Sequence, residues 1–159
     1  MRKIDYHVFV EGGYYDDGGF GVAAYVITDG VTGEDFYVGN IVVHESTSMR
    51  IFIEGAIDAM KHVPHGCSIN FVTDQMYLVN IINHKWRIKA NGDLWERFEL
   101  VARNGMHMCC GEWRSIKSND VLLQRCWRTC SDIAGFDFLE FFYSKHEEKR
   151  PAPHGSERS

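Results

Sequence analysis

The chain has 159 residues, of which 45% are hydrophobic and 25% charged, and its formal net charge is −5 at pH 7. This is the composition of an ordinary globular protein, and such a length most simply forms one domain with a substantial core. No stretch approaches the roughly 20 consecutive apolar residues that a bilayer requires, so we expect no membrane association. The acidic balance argues against a general positive field for nucleic acid, so such a partner would need a local basic patch.

The beginning of the chain and its cysteines indicate a compartment. The first residues, Met-Arg-Lys-Ile-Asp-Tyr, lack the apolar core of a signal peptide. The five cysteines are odd in number and irregularly spaced, which is not a disulfide framework. We therefore expect an intracellular, cytoplasmic protein.

Three strands joined by short turns are predicted first. Residues 5–11 alternate in side-chain character and end in Glu11, and the following Gly12-Gly13 predicts that the strand stops there. A second strand is predicted over residues 20–28 and a third over residues 36–43, with Asp-Gly and Thr-Gly turn signals between them. This pattern is typical of an antiparallel meander.

A helix is predicted next. Apolar residues recur at helical spacing between Met49 and Val63, and Ser46 or Thr47 is the candidate N-terminal cap. Glu54 borders the apolar stripe of this helix. Its ordinary role would be a surface ion pair with the arginine four residues earlier, which stabilises a helix by a few tenths of a kcal/mol (~0.2–0.5).

A fourth strand is predicted within residues 67–77. The β-branched and aromatic run over residues 69–72 suits a buried strand, and Asp74 follows at its carboxyl end. In open sheets that carry helices on their faces, ligands and catalytic groups gather at this edge. The simpler alternative is that Asp74 caps the helix predicted to follow.

A short basic and aromatic cluster follows that helix. It reads Lys85-Trp86-Arg87-Ile88-Lys89. A solvated loop with one buried tryptophan is one interpretation, and contact with phosphates is the other.

Two further helices flank a fifth predicted strand. Asp93, with Glu96 three residues later, predicts the cap of the first of them. The strand is predicted over residues 106–113, and the last helix begins at residues 118–120 and ends at Gly135.

The carboxyl-terminal part divides by composition. Residues 1–135 are predicted to form the folded domain. Residues 136–144 are rich in aromatic side chains, so we expect them to pack on the domain, with docking of a protein partner as the alternative. Residues 145–159 have no apolar content to order them and are predicted to be a disordered tail.

The predicted order β-β-β-α-β-α-α-β-α indicates a mixed α/β (α+β) fold with a five-stranded mixed sheet and helices on both faces. If the fourth strand lies beside the first, Glu11 and Asp74 share one edge, and a crossing helix can bring Glu54 to them. Three convergent carboxylates repel one another unless a divalent cation neutralises them, which predicts a Mg²⁺ or Mn²⁺ site. Paired metals about 4 Å apart are the usual device for hydrolysing a phosphodiester.

Several segments resemble the type 1 ribonuclease H family, over about residues 5 to 134. The family's Thr-Asp-Ser-x-Tyr-Val segment is similar to Thr73-Asp74-Gln75-Met76-Tyr77-Leu78, and its Asp-Leu-Trp-x-Arg helix start is similar to Asp93-Leu94-Trp95-Glu96-Arg97. Its Asp-Gly-Ser opening with a Gly-Gly-Tyr-Gly second strand resembles Glu11-Gly12-Gly13 followed by Gly18-Gly19-Phe20-Gly21. The resemblance implies a ribonuclease H-like fold.

By this resemblance, Glu11, Glu54 and Asp74 fall where the family keeps three of its four metal-binding carboxylates, so these three are the predicted catalytic and metal-binding residues. The family's first acid is Asp, and Glu11 is longer by one methylene. Around the second acid the family shows Asn-Asn-Arg-x-Glu-Leu, whereas residues 50–55 read Arg-Ile-Phe-Ile-Glu-Gly.

The fourth acid of the family belongs to an Asn-x-x-x-Asp pattern in the last helix. Leu123 stands at that position here, four residues after Asn119. Asp120, one helical turn earlier, is the candidate that assists the other three acids, and capping of the helix is its alternative role.

Two functions follow as hypotheses. One is a divalent-metal-dependent endonuclease that hydrolyses the RNA strand of RNA/DNA hybrids, weakened by these departures. The other is a catalytically inactive module of the same fold that binds nucleic acid or a protein partner. We expect a monomer. The residues predicted to touch nucleic acid are Lys85, Trp86, Arg87, Lys89, Arg114 and Lys117.

Overall fold

A computed structural model describes residues 3–115 and 120–135 of the chain. The strands are β1 (Tyr6–Tyr15), β2 (Phe20–Asp29), β3 (Asp35–His44), β4 (Ser68–Thr73) and β5 (Met108–Trp113), and the helices are α1 (Ser48–Met60), α2 (Met76–Ile82), α3 (Gly92–Asn104) and α4 (Val121–Ala134). The predicted order of elements and the mixed α/β class are confirmed.

The strands form one sheet in the order β3-β2-β1-β4-β5. β1 pairs antiparallel with β2, and β2 pairs antiparallel with β3, as the short turns predicted. β4 lies parallel to β1 on its other side and also parallel to β5. The two acids predicted at strand ends, Glu11 and Asp74, therefore lie on neighbouring parallel strands.

Side chains alternate between the two faces of the sheet, and each face is covered by helices. Val8 and Val10 of β1 pack with α1, α2 and α3 in the larger apolar cluster. Phe9 of β1 and Val72 of β4 pack with α4 on the opposite face. Glu11 has the parity of Phe9, so it lies on the face that carries α4.

Two predicted boundaries are wrong in an informative way. β1 continues through Gly12 and Gly13 to Tyr15, although the glycines predicted its end. A Cβ atom on Gly12 would lie only 3.0 Å from the Val22 carbonyl oxygen and 3.3 Å from the Ile51 side chain. The glycine therefore permits close packing of α1 on the strand and makes no turn.

The start of α3 differs as well. The helix begins at Gly92, and Asn91 precedes it with φ 60° and no side-chain capping bond. Asp93, which was predicted to be the cap, lies in the first turn and forms an ion pair of 2.8 Å with Arg50 of α1. The predicted cap of α1 is confirmed, because the Thr47 hydroxyl accepts a hydrogen bond from the Arg50 N–H.

Three sequence predictions lie outside the described residues: the phosphate contact of Lys117, the aromatic segment 136–144 and the tail 145–159. Within residues 3–115 and 120–135, the longest and most apolar helices fall short of what a membrane crossing requires.

Gly55 provides a test of how α1 packs on the sheet. A Cβ atom there would lie 2.7 Å from the Ala23 methyl group and 3.2 Å from Val10. We expect Gly55→Ala to lower the free energy of unfolding by about 1–3 kcal/mol, because overpacking outweighs the helix propensity gained. Chemical denaturation measures this change.

The matched control is Gly92→Ala in α3, where nothing lies within 4 Å of the added methyl group. It should leave stability unchanged or raise it. An equally mild effect at both glycines would contradict the close packing of α1.

Candidate carboxylate centre

The parallel pairing of β1 and β4 brings Glu11 and Asp74 together. Phe9 is the register partner of Val72, and each acid lies two residues beyond its member of that pair. The Asp74 backbone N–H donates a hydrogen bond of 3.2 Å to Oε2 of Glu11. The predicted convergence of the two acids is what the structure shows, although Glu11 lies within β1 and only Asp74 follows the end of its strand.

Glu11 is completely buried, and Asp74 is mostly so. Burial raises the pKa of the Glu11 carboxyl group well above its usual range, and the neighbouring Asp74 raises it further. Burial likewise raises the pKa of Asp74, while its hydrogen bond with the Glu11 side chain acts in the opposite direction. Two buried carboxyl groups in contact avoid mutual repulsion by sharing a proton or by binding a positive charge.

Two oxygens of this pair have no hydrogen-bond partner. They are Oε1 of Glu11 and Oδ1 of Asp74, and both are buried. A buried carboxylate oxygen without a donor is costly, and a bound cation is one group that can satisfy such an oxygen. Carboxylate oxygens are the ligands that Mg²⁺ and Mn²⁺ prefer, so the pair fits one such cation.

Asp120 lies near the pair but is bound elsewhere. It caps α4, accepting a hydrogen bond of 3.0 Å from the Leu123 N–H, and it accepts a second bond of 2.8 Å from Nη1 of Arg114. Burial opposes ionisation of Asp120, but the helix N–H groups and Arg114 together hold its pKa below the usual value. Its charge also raises the pKa of Glu11. The capping role weighed from the sequence is therefore its observed role.

The structure does not bring Glu54 to the pair. Its carboxylate lies 3.8 Å from Nη1 of Arg97 on α3. In the resembled family the glutamate stands two positions after the arginine. Counted from Arg50, that position is Phe52, which is buried in an apolar cluster with Ala23. Residues two positions apart on a helix are separated by about 200° around its axis, so an acid at position 54 points away from the direction of position 52.

The predicted three-carboxylate site is therefore reduced to a pair. Among residues 3–115 and 120–135, no three His, Cys, Asp or Glu side chains are grouped so as to hold a metal ion. Leu123, at the position of the fourth acid, is fully buried in the cluster under α4.

The predicted basic cluster lines a cleft of about 610 Å³, which Tyr77 of α2 and the loop after this helix form. Trp86 is half exposed there, so the interpretation with a buried tryptophan is wrong. The Tyr77 hydroxyl donates to the Ala90 carbonyl oxygen across the cleft and holds its loop in place. The lining residues are Tyr77, Lys85, Trp86, Arg87, Lys89 and Ala90.

Arg114 was predicted to touch phosphate, but it is bound within the protein. Its Nε donates to Oε2 of Glu112 and its Nη1 to Oδ2 of Asp120, both at 2.8 Å. Its guanidinium group also lies over the Phe9 ring, 5.5 Å from the centroid. Glu112 accepts a further bond of 3.0 Å from Asn70.

The chain of contacts through Asn70 was missed from the sequence. Asn70 also contacts Nδ1 of His7 at 3.1 Å. A polar residue inside an otherwise apolar strand was the available signal, because a buried amide requires partners.

A pH series tests the burial of Glu11. A carboxyl group whose pKa is raised on folding destabilises the folded state as the pH rises from its ordinary value toward the raised one. In metal-free buffer we expect Glu11→Gln to unfold at nearly the same free energy as the parent at about pH 4, and to be more stable by about 1–3 kcal/mol at about pH 8. Urea denaturation across this range measures the difference.

The matched change is Glu54→Gln, which removes an acid whose partner is a half-exposed arginine. It should alter stability by less than about 1 kcal/mol throughout the series. The same alkaline gain in both variants, or none in Glu11→Gln, would contradict a buried and unneutralised Glu11.

Comparison with known proteins adds two relatives. A ribonuclease H of Syntrophus aciditrophicus (strain SB) is 32% identical over 105 residues, which cover 57% of this chain and 59% of that protein. A ribonuclease H of Moorella thermoacetica is 26% identical over 106 residues, covering 67% of this chain and 58% of the relative. The chain thus spans less than two thirds of the length of the curated relatives it matches. No family model matches it.

A structural comparison supports the fold. The N-terminal ribonuclease H domain of a Mycobacterium tuberculosis protein, solved as a fusion with maltose-binding protein, matches with a TM-score of 0.65 and 14% identity. The match covers 82% of this chain and 99% of that one. Together with the two sequence relatives, it confirms the resemblance seen in the motifs: the chain is ribonuclease H-like in fold and in sequence.

Proposed function

We propose that the chain is a weakened ribonuclease H-like endonuclease, which hydrolyses the RNA strand of RNA/DNA hybrids with one Mg²⁺ or Mn²⁺ held by Glu11 and Asp74. The observation that carries the proposal is the buried pair of carboxyl groups with two oxygens that lack a partner. A bound divalent cation would supply Lewis acidity for the phosphodiester and activation of water. The two relatives that are named ribonuclease H support this reaction class.

The chain's own residues supply binding and orientation. The cleft beside α2 presents Lys85, Arg87 and Lys89 to the phosphates of a nucleic acid, and the half-exposed Trp86 to its sugars or bases. Asp74 lies two residues before α2, and Tyr77 is in the first turn of that helix. Asp74 and the loop that lines the cleft therefore flank the two ends of one short helix, α2.

The weakening follows from the residues that replace acids. Phe52 and Leu123 are buried in apolar clusters, and Asp120 is neutralised by Arg114. Glu11 carries its carboxylate one methylene farther than an aspartate would. Misplacement of a catalytic group by about 1 Å can lower a rate about 100-fold.

A second function is favoured by the same replacements. Phe52 and Leu123 stand at two positions where the family has acids, so fewer carboxylate ligands remain than a two-metal site uses. The basic cleft does not depend on these two residues. A module of this fold that binds nucleic acid or a protein without cleaving is the alternative that the experiments below separate.

Cation binding and cleavage test the first proposal together. We expect the parent protein to bind Mn²⁺ in calorimetry and to cleave a labelled hybrid slowly in Mn²⁺. Glu11→Gln and Asp74→Asn should each lose both properties, because each removes a ligand of the pair. The loss of cleavage should be at least about 100-fold.

Glu54→Gln is the matched control, since its carboxylate contacts Arg97 and not the pair. It should retain cation binding and cleavage. Loss of cation binding in this variant would indicate that Glu54 is a ligand of the cation. Hybrid binding without cleavage by the parent would favour the non-catalytic module.

The basic cleft can be tested separately by its salt dependence. Replacing Lys85, Arg87 and Lys89 with alanine should weaken binding of a hybrid and reduce the slope of log affinity against log salt concentration by about 0.7–0.9 for each phosphate that is no longer neutralised. Fluorescence anisotropy at several salt concentrations measures this slope.

A variant with alanine at Lys61 and Arg103 is the control, because these cations lie at the ends of α1 and α3, outside the cleft. Its slope should match that of the parent. Equal reductions in both variants would indicate binding by overall charge and contradict a defined site.

A further inference from the structure

Arg114 lies at the junction of all the elements that form the centre. Its backbone N–H donates to the Thr73 carbonyl oxygen at 2.9 Å, one residue before Asp74. Its guanidinium group packs over Phe9, two residues before Glu11 on the same strand. The side chain therefore lies on the face of the sheet that carries the acidic pair.

The same guanidinium group binds two carboxylates at once. Glu112 approaches from the end of β5 and Asp120 from the beginning of α4, each at 2.8 Å. The Asp120 side chain is only 10% exposed, and its second oxygen accepts the Leu123 N–H. Both Asp120 oxygens thus have a donor, in contrast to the pair, where one oxygen of each acid has none.

We propose that Arg114 is a built-in cation of the carboxylate centre, which neutralises Asp120 and limits the centre to one divalent cation. A guanidinium group is a permanent charge with fixed donor geometry, so it can hold an acid that would otherwise be free to bind metal. Arg114 is a positioning residue on this view, because it acts through Asp120. The inference rests on the proposed function, since it assumes that Glu11 and Asp74 hold the single cation.

The test is the stoichiometry of Mn²⁺ binding, measured by calorimetry on the full chain and by the spin coupling of paired Mn²⁺ ions. The parent and Arg114→Lys, which keeps the charge, should bind one Mn²⁺ per chain. Arg114→Gln should bind a second, because Asp120 is released. The double variant Arg114→Gln with Asp120→Asn should return to one.

Arg125→Gln is the matched control. Arg125 lies on α4, the helix that Asp120 caps, and it forms an ion pair of 2.7 Å with Asp35 of β3. It should bind one Mn²⁺. Thermal unfolding of each variant shows whether it is folded. If Arg114→Gln does not fold, Asp120→Asn decides, because the inference requires this variant to keep the single Mn²⁺.

The outcomes separate the two proposals. Two Mn²⁺ ions in the parent, one ion in a folded Arg114→Gln, or a second ion that survives in the double variant would each overturn the role of Arg114 while leaving the carboxylate pair in place. No Mn²⁺ in the parent would instead overturn the proposed function.

Discussion

The parallel pairing of β1 with β4 is the constraint on which the carboxylate centre depends. It sets Glu11 and Asp74 at one level and on one face of the sheet, close enough for the Asp74 N–H to reach Oε2 of Glu11. Two buried acids in contact oppose folding, because burial disfavours the charge of each and Asp74 further disfavours the charge of Glu11. A fold that retains such a pair gives up stability at this place, which is characteristic of functional sites.

Ion pairs give several of the remaining charged groups a structural role. Arg50 with Asp93, and Glu54 with Arg97, join α1 to α3 on one side of the sheet. Arg114 joins β5 to the start of α4 on the other side. Among the described residues, Glu11 and Asp74 take part in none of the ion pairs, so none of these pairs neutralises the two acids.

Periodicity and turn chemistry were enough to predict the fold, because each strand and helix has its own apolar pattern. The meeting of Glu11 with Asp74 was also predictable, since the parallel pairing of their strands places them side by side, even though β1 continues beyond Glu11. The place of Glu54 was not: it borders the apolar stripe, and only the packing of α1 against α3 decides which way such a residue turns. The predicted end of β1 at Gly12 was wrong for a similar reason. From the sequence alone, a glycine that allows the close approach of Ile51 cannot be distinguished from a glycine that makes a turn.

The burial of Phe52 makes the reduction of the centre difficult to reverse. Its ring packs with Ala23 and Ile51 where α1 crosses the sheet. An acid introduced there would enter an apolar layer and need both a cation and new packing for its neighbours at the same time. A single substitution at position 52 therefore cannot by itself supply a ligand there, and a variant with an acid at this position would be less stable than the present protein.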